Sequence, residues 1–404
     1  MQTTLSPQQL AAPDIAEANA ILRSCVHCGF CTATCPTYQL LGSELDGPRG
    51  RIYLIKDMLE SDSATDKTRL HLDRCLTCRA CETTCPSGVQ YGRLIDIGRE
   101  LVNQHAPRPL HQKLMRKALL KVLPYPARLK VALALGRLFK PLLPKRLGHK
   151  IPTLQAATPF LPSASHARHM LVLEGCVQSL STPNTNVATA RVLDRLGITL
   201  LSAPSAGCCG ALNQHLSDSA GARDLMRINI DAWWPYVERG AEAIVLTASG
   251  CGLMVKDYGA ALRDDPQYAE KAARISALSL DLVEILGRED LTPYAHTGQG
   301  KRIAYQSSCT LQHGQKLGGT VEALLRRCGF ELTEVAGSHL CCGAAGTYTL
   351  TQPELSAQLL SNKLSALNAG APEVIVTANV GCQLHLTHAS KVPVQHWIEL
   401  LATP

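Results

Sequence analysis

The sequence predicts a multidomain chain of mixed class, α+β and α/β. A small helical, cysteine-rich domain comes first, followed by two copies of one α/β unit. Three observations predict it. At 404 residues the chain exceeds one ordinary domain. Its 17 cysteines are unevenly placed, with eight in residues 1–105, none in 106–167 and nine in 168–404. The last region also repeats itself. Cys176, Cys208-Cys209-Gly210 and Cys251 recur as Cys309, Cys341-Cys342-Gly343 and Cys382, offset by 133 residues for the first three cysteines and 131 for the last. The expected boundaries are therefore 1–105, a connector at 106–167, a first repeat at 168–295 and a second at 296–404.

Within each repeat, short apolar runs alternate with helical patterns. Met170-Leu-Val-Leu, Ala243-Ile-Val-Leu, Arg302-Ile-Ala-Tyr and Val374-Ile-Val-Thr read as strands, and residues 187–196 and 320–328 as amphipathic helices. That alternation favours a parallel, doubly wound sheet. Cys176, Cys251, Cys309 and Cys382 each fall just after a strand, at the sheet edge where open α/β folds bind ligands.

Composition narrows the class. Hydrophobic residues make up 46% of the chain, enough for buried cores, whereas aromatics make up 4%, too few for a base-stacking surface. No nucleic-acid partner is expected. Residues 1–20 lack a basic region followed by an apolar run, and no run reaches ~18 apolar residues. A cytoplasmic chain without a membrane span is expected, in which clustered thiols bind metal or do redox chemistry.

The N-terminal cysteines carry the most specific signal. Cys25-x2-Cys28-x2-Cys31-x3-Cys35-Pro36 is followed by Cys75-x2-Cys78-x2-Cys81-x3-Cys85-Pro86. This is the bacterial ferredoxin spacing for two [4Fe–4S] clusters, in which the fourth cysteine of each run ligates the other cluster. Cys25, Cys28, Cys31 and Cys85 are assigned to one cluster, and Cys75, Cys78, Cys81 and Cys35 to the other. Structural zinc normally pairs two x2 spacings across a longer loop, and fits less well. His27 inside the first run reads as a solvent-facing loop residue. Between the runs, Asp46-Gly-Pro-Arg-Gly-Arg reads as a helix start, with Asp46 as cap and Pro48 in the first turn. Arg49 and Arg51 either raise a cluster's potential or belong to a solvated helix start.

These residues carry a family resemblance over nearly the whole chain. A two-cluster ferredoxin-like domain followed by two Cys-Cys-Gly domains resembles the iron–sulfur subunits of glycolate oxidase. It is also similar to iron–sulfur proteins of lactate utilisation, of anaerobic glycerol-3-phosphate dehydrogenase and of heterodisulfide reductase. Cys25-Val-His-Cys-Gly-Phe-Cys-Thr-Ala-Thr-Cys-Pro-Thr-Tyr and Gly47-Pro-Arg-Gly-Arg-Ile-Tyr look most like the glycolate oxidase subunit. The resemblance implies a complex with two flavoprotein subunits carrying FAD, which oxidises glycolate and passes electrons towards the respiratory quinone. The sequence shows no G-x-G-x-x-G turn and no Walker-type loop, so a nucleotide cofactor of its own is not expected. The competing classes are a stand-alone thiol-redox enzyme and a zinc-bound scaffold.

Heterodisulfide reductase repeats end in Cys-x2-Cys and hold an unusual cluster. Here the first copy ends Cys251-Gly-Leu-Met254 and the second Cys382-Gln-Leu-His385. Either a third cluster persists or the thiols are buried remnants. The second copy is favoured for a third cluster, with Cys309, Cys341, Cys342, Cys382 and His385. Cys328 is expected in the core. Residues 101–150 hold 12 Lys or Arg and no acid, so without them the net charge falls from +7 to −5. Leucines recur there at helical spacing, which predicts either a basic amphipathic element on an anionic membrane surface or helices packed on protein. The first alternative places the chain peripherally on the cytoplasmic face of the inner membrane.

Overall fold

The computed structural model describes residues 1–140 and 155–402. The predicted duplication appears in the sheets. β1 (Arg168–Val172), β2 (Ile198–Ser202), β3 (Ile244–Leu246) and β4 (Ser279–Asp281) form one four-stranded sheet in the order β2-β1-β3-β4. β5 (Arg302–Gln306), β6 (Glu331–Leu332), β7 (Val374–Thr377) and β8 (Val394–His396) form the other, in the matching order β6-β5-β7-β8. Every pairing is parallel. The central strands β3 and β7 are buried along their whole length, as strands covered on both faces must be. The expected helices appear as Asn184–Arg195 and Thr320–Arg327.

One hydrophobic core joins the copies. Val192, Val245 and Leu286 of the first pack in the same cluster as Tyr305, Val376 and Trp397 of the second, and Cys328 lies within it as expected. Polar contacts reinforce the seam: Ser249 Oγ lies 2.8 Å from both Ser308 Oγ and Thr310 Oγ1, and Thr185 donates to Glu399 at 2.8 Å.

In the N-terminal domain, helices Pro13–Ser24, Pro48–Ser61 and Tyr91–His105 pack around Leu22, Ile55, Leu94 and Ile95. Pro48 opens its helix as the sequence predicts, but Asp46 does not cap it. Gly47 is the cap residue, and no side chain caps the helix. Asp46 sits instead in a 3₁₀ turn, 1% exposed, with His71 Nδ1 and Arg74 both at 3.0 Å and Arg51 at 3.6 Å. A buried carboxylate needs paired cations, and that demand overrides the local capping preference. His27 also departs from expectation. It is half-buried with φ +56°, and its Nε2 is buried without a partner among the described residues.

The connector folds into helices Leu110–Val122 and Pro126–Leu138. Arg116 ties the first to Asp73 at 3.3 Å, and Leu129 and Leu133 bury one face of the second. Leu110, Leu114, Val131, Leu135 and Leu138 remain exposed, Leu110 and Leu138 by about 70%. The basic segment's Lys145, Arg146 and Lys150 lie outside the described residues. Among the described residues no helix is long and apolar enough to cross a membrane.

Candidate metal centre

The two N-terminal cysteine runs adopt matching backbones. Residues two and four after the first cysteine are left-handed in both: His27 and Thr77 at φ 56° and 51°, Gly29 and Arg79 at 84° and 58°. Helical turns Phe30–Ala33 and Ala80–Thr83 then lead to the fourth cysteine of each run. Non-glycine residues in this region cost energy and persist only where the surroundings enforce them.

Cys25, Cys28, Cys31, Cys81 and Cys85 line one cavity. Cys85, the fourth cysteine of the second run, thus borders the same cavity as the first three of the first run, and so does Cys81. Burial, and then the nearby Cys25, push the Cys31 thiol up to about 11. Arg49 also lines this cavity.

Cys35, Cys75, Cys78 and Cys81 form the other group. Burial pushes Cys78 and Cys81 well above the usual thiol range, and their neighbours Cys35 and Cys75 add to it. Arg51 is buried beside Cys75 and Cys35 and donates to the His71 carbonyl at 2.7 Å and to Thr37 Oγ1 at 3.1 Å. The two arginines thus serve different cysteine groups. Arg99 grips the start of the second run, donating to the Leu72 carbonyl at 3.0 Å and the Cys75 carbonyl at 2.5 Å. Tyr348, from the second repeat, donates to the Arg74 carbonyl at 2.9 Å, and Tyr91 Oη lies 3.7 Å from Cys75 Sγ. Nothing in the sequence marks Arg99, Tyr91 or Tyr348, because their partners are distant backbone and thiol atoms.

The repeats build equivalent thiol chains. In the first, Cys176 Sγ lies 3.5 Å from Cys208 Sγ, and Cys209 contacts both Cys208 and Cys251. In the second, Cys309 lies 3.9 Å from Cys341, which contacts Cys342, which lies 3.3 Å from Cys382. The glycine of each Cys-Cys-Gly allows the turn. Gly210 and Gly343 both have φ +90°, and a Cβ would meet the Ala222 carbonyl at 3.1 Å or the Ser356 carbonyl at 2.9 Å. Met254 and His385 face the same large cavity as these thiols, and Ser356 Oγ lies 3.3 Å from His385 Nε2.

The second cysteine group abuts the second repeat. Cys78, Leu76, Cys309 and Cys341 pack in one cluster with Tyr348. Contact with Cys341, followed by burial, pushes the Cys309 thiol well above its usual range. Among the described residues no three His, Cys, Asp or Glu side chains converge on a single metal ion. Two groups of four cysteines in the ferredoxin spacing suit multinuclear centres better than single ions. Buried thiols that oppose one another's ionisation fit such a centre, whose iron charge would compensate four thiolates.

Residues 21–89 match the 4Fe-4S dicluster domain family, and residues 170–256 and 303–387 match the Cysteine-rich domain family. The chain is 55% identical over 401 residues to the glycolate oxidase iron-sulfur subunit of Escherichia coli K12, covering 99% of this chain and 98% of that protein. It is 31% identical to a probable glycolate oxidase iron-sulfur subunit of Bacillus subtilis, covering 90% and 88%. Lactate utilization protein A of Bacillus velezensis is 29% identical over 52% of this chain and 87% of that protein. A crystal structure of a hypothetical protein from Helicobacter pylori shares the fold, with a TM-score of 0.55 at 8% identity over 96% of this chain and 71% of that one.

Proposed function

The chain belongs to the family of glycolate oxidase iron–sulfur subunits, and from that premise we propose that it is the electron-relay subunit of a flavin-dependent glycolate (2-hydroxy acid) dehydrogenase. In this reading two partner flavoprotein subunits carry FAD and oxidise the substrate, and electrons leave towards quinone. The observation that carries it is the packing of Cys78 against Cys309 and Cys341, which sets the second cysteine group against the thiols of a repeat.

Cys25, Cys28, Cys31 and Cys85 would hold one [4Fe–4S] cluster, and Cys75, Cys78, Cys81 and Cys35 the other. When bound, these clusters supply one-electron steps between a two-electron flavin and the acceptor. The chain's own residues shape their surroundings. Arg49 lines the first site, and Arg51 is buried beside the second. Arg99 and Tyr348 fix the backbone from which Cys75 projects. A third centre belongs on Cys309, Cys341, Cys342 and Cys382, where His385 can add a ligand and where the second cysteine group is adjacent. The exposed leucines of the basic helix pair suit docking on the cytoplasmic face of the inner membrane.

Isolation of the tagged chain from its native host tests the reading. Two co-purifying flavoprotein subunits with dye-linked glycolate oxidation are expected. A homogeneous single-subunit protein that reduces disulfides would overturn it.

A further inference from the structure

A cavity of about 1820 Å³ lies where the N-terminal domain meets both repeats. It is larger than the roughly 300–1,000 Å³ of ordinary ligand pockets, so it can hold a metal centre at the thiols and still accept a ring-sized molecule. Leu212, Met226, Leu253 and Leu364 supply apolar wall. Leu123, immediately after helix Leu110–Val122, also lines it. The cavity therefore reaches the helix pair whose leucines are exposed.

One part of the wall is polar and unusual. Asp96 comes from the N-terminal domain and His215 from the first repeat, and both line the cavity. Asp96 Oδ1 and His215 Nδ1 are buried without hydrogen-bond partners among the described residues. The second repeat closes the same corner, since a Cβ on Gly346 would lie 3.9 Å from the His215 ring. Burial raises Asp96 to about 6, despite Arg99, Arg79 and Arg93 nearby, and lowers His215 to about 4. At neutral pH the imidazole is an uncharged single donor; the carboxyl, which also accepts from Gln214, is mainly ionised there and carries a proton below about pH 6. Neither group is a thiol ligand, and an electron relay uses neither.

We propose that this corner is where a lipid-soluble quinone is reduced, with Asp96 as proton donor and His215 as hydrogen-bond donor to a quinone carbonyl oxygen. This rests on the relay reading above. Quinone reduction needs two electrons and two protons. The iron–sulfur centres, when bound, would supply the electrons one at a time, and each carbonyl oxygen gains one proton to form an O–H bond. Asp96 loses its carboxyl proton to the first oxygen, regains one from solvent, and supplies the second. The product is the quinol, and the bound centres would be the species oxidised.

The test uses the intact cluster-loaded complex. Glycolate-driven reduction of a short-chain benzoquinone is compared with reduction of ferricyanide, which takes one electron and no proton. Asp96→Asn is expected to lower the quinone-to-ferricyanide rate ratio by about tenfold or more, the lower range of general acid catalysis. Asp96→Glu should recover most of it with a shifted pH profile. A ratio within about twofold of the parent chain in Asp96→Asn would overturn the proposal. Photolabelling of the unaltered complex with an azidoquinone decides independently of any variant. Labelled peptides from residues 76–96 and 208–215 are expected, and labelling confined to other peptides would overturn the site. If the unaltered complex oxidises glycolate with neither acceptor, the relay reading fails, and the labelling still reports on the cavity.

Discussion

Thr83 Oγ1 and His313 Nδ1 lie 3.0 Å apart and join the second cysteine run to the segment after Cys309. The direction of this bond follows from the other ring nitrogen. His313 Nε2 lies 2.9 Å from the His339 carbonyl, which can only accept, so Nε2 carries the proton and Thr83 donates to Nδ1. Burial lowers the His313 pKa, which favours this neutral form. Thr83→Val should cost about 1–3 kcal/mol, because a buried acceptor loses its donor. Thermal unfolding of the cluster-loaded chain measures it, and an unchanged midpoint would show that the contact does not hold the domains together.

A second prediction concerns Asp281, at the end of β4 and 2% exposed. Burial raises its pKa from 3.8 to about 7, against the pull of its bond from the Val283 amide. Between those values the unfolded chain has released the proton while the folded chain keeps it, so stability falls as pH rises from about 4 to about 7 and then levels. Asp281→Asn retains a capping oxygen and cannot ionise. The variant should gain on the parent chain from pH ~5.5 to ~7, by something on the order of 2 kcal/mol. Unfolding midpoints of both proteins across that range check the sign, and a constant difference would contradict it.

The repeats give a third prediction. If the second copy holds a centre, Cys341→Ala/Cys342→Ala should lower the iron content of the anaerobically purified chain towards the ~8 atoms of two cubane clusters. It should also remove one component of the EPR spectrum. Iron content and spectrum unchanged by the double substitution would mean that these thiols are core residues only.

The connector gives a fourth. Leu110, Leu114, Val131, Leu135 and Leu138 are exposed on helices that also carry Lys113, Lys117, Lys121, Arg128 and Lys130. Each cation near an anionic surface contributes ~1 kcal/mol, enough together for reversible docking. The assembled complex should sediment with anionic liposomes more than with neutral ones, and lose most of that difference at high salt. Equal sedimentation would mean that these helices pack on protein.

Much of this architecture was legible in the sequence because it is written in spacing. The cysteine runs, the 133-residue offset and the apolar runs at β1, β3, β5 and β7 survive without any tertiary information. The edge strands β2, β4, β6 and β8 carry weaker sequence signals; β6 has two residues and β8 includes Gln395 and His396. Asp46 departs from the expected cap for a physical reason. Local sequence suggests a cap, but His71 and Arg74, distant in sequence, recruit the carboxylate into a buried ion network. Asp96 and His215 carry no local signal at all, because their significance lies in three domains meeting around one cavity.

The central claim is that electrons from substrate pass through centres held by the N-terminal cysteines. Rapid-freeze EPR of the intact complex, mixed with glycolate in the absence of an acceptor, tests it most directly. The account predicts that reduced [4Fe–4S] signals appear at least as fast as turnover. Cys78→Ser should remove the component from the second group and slow quinone reduction while leaving substrate binding intact. Clusters that stay oxidised while quinone is reduced at the normal rate would contradict the account.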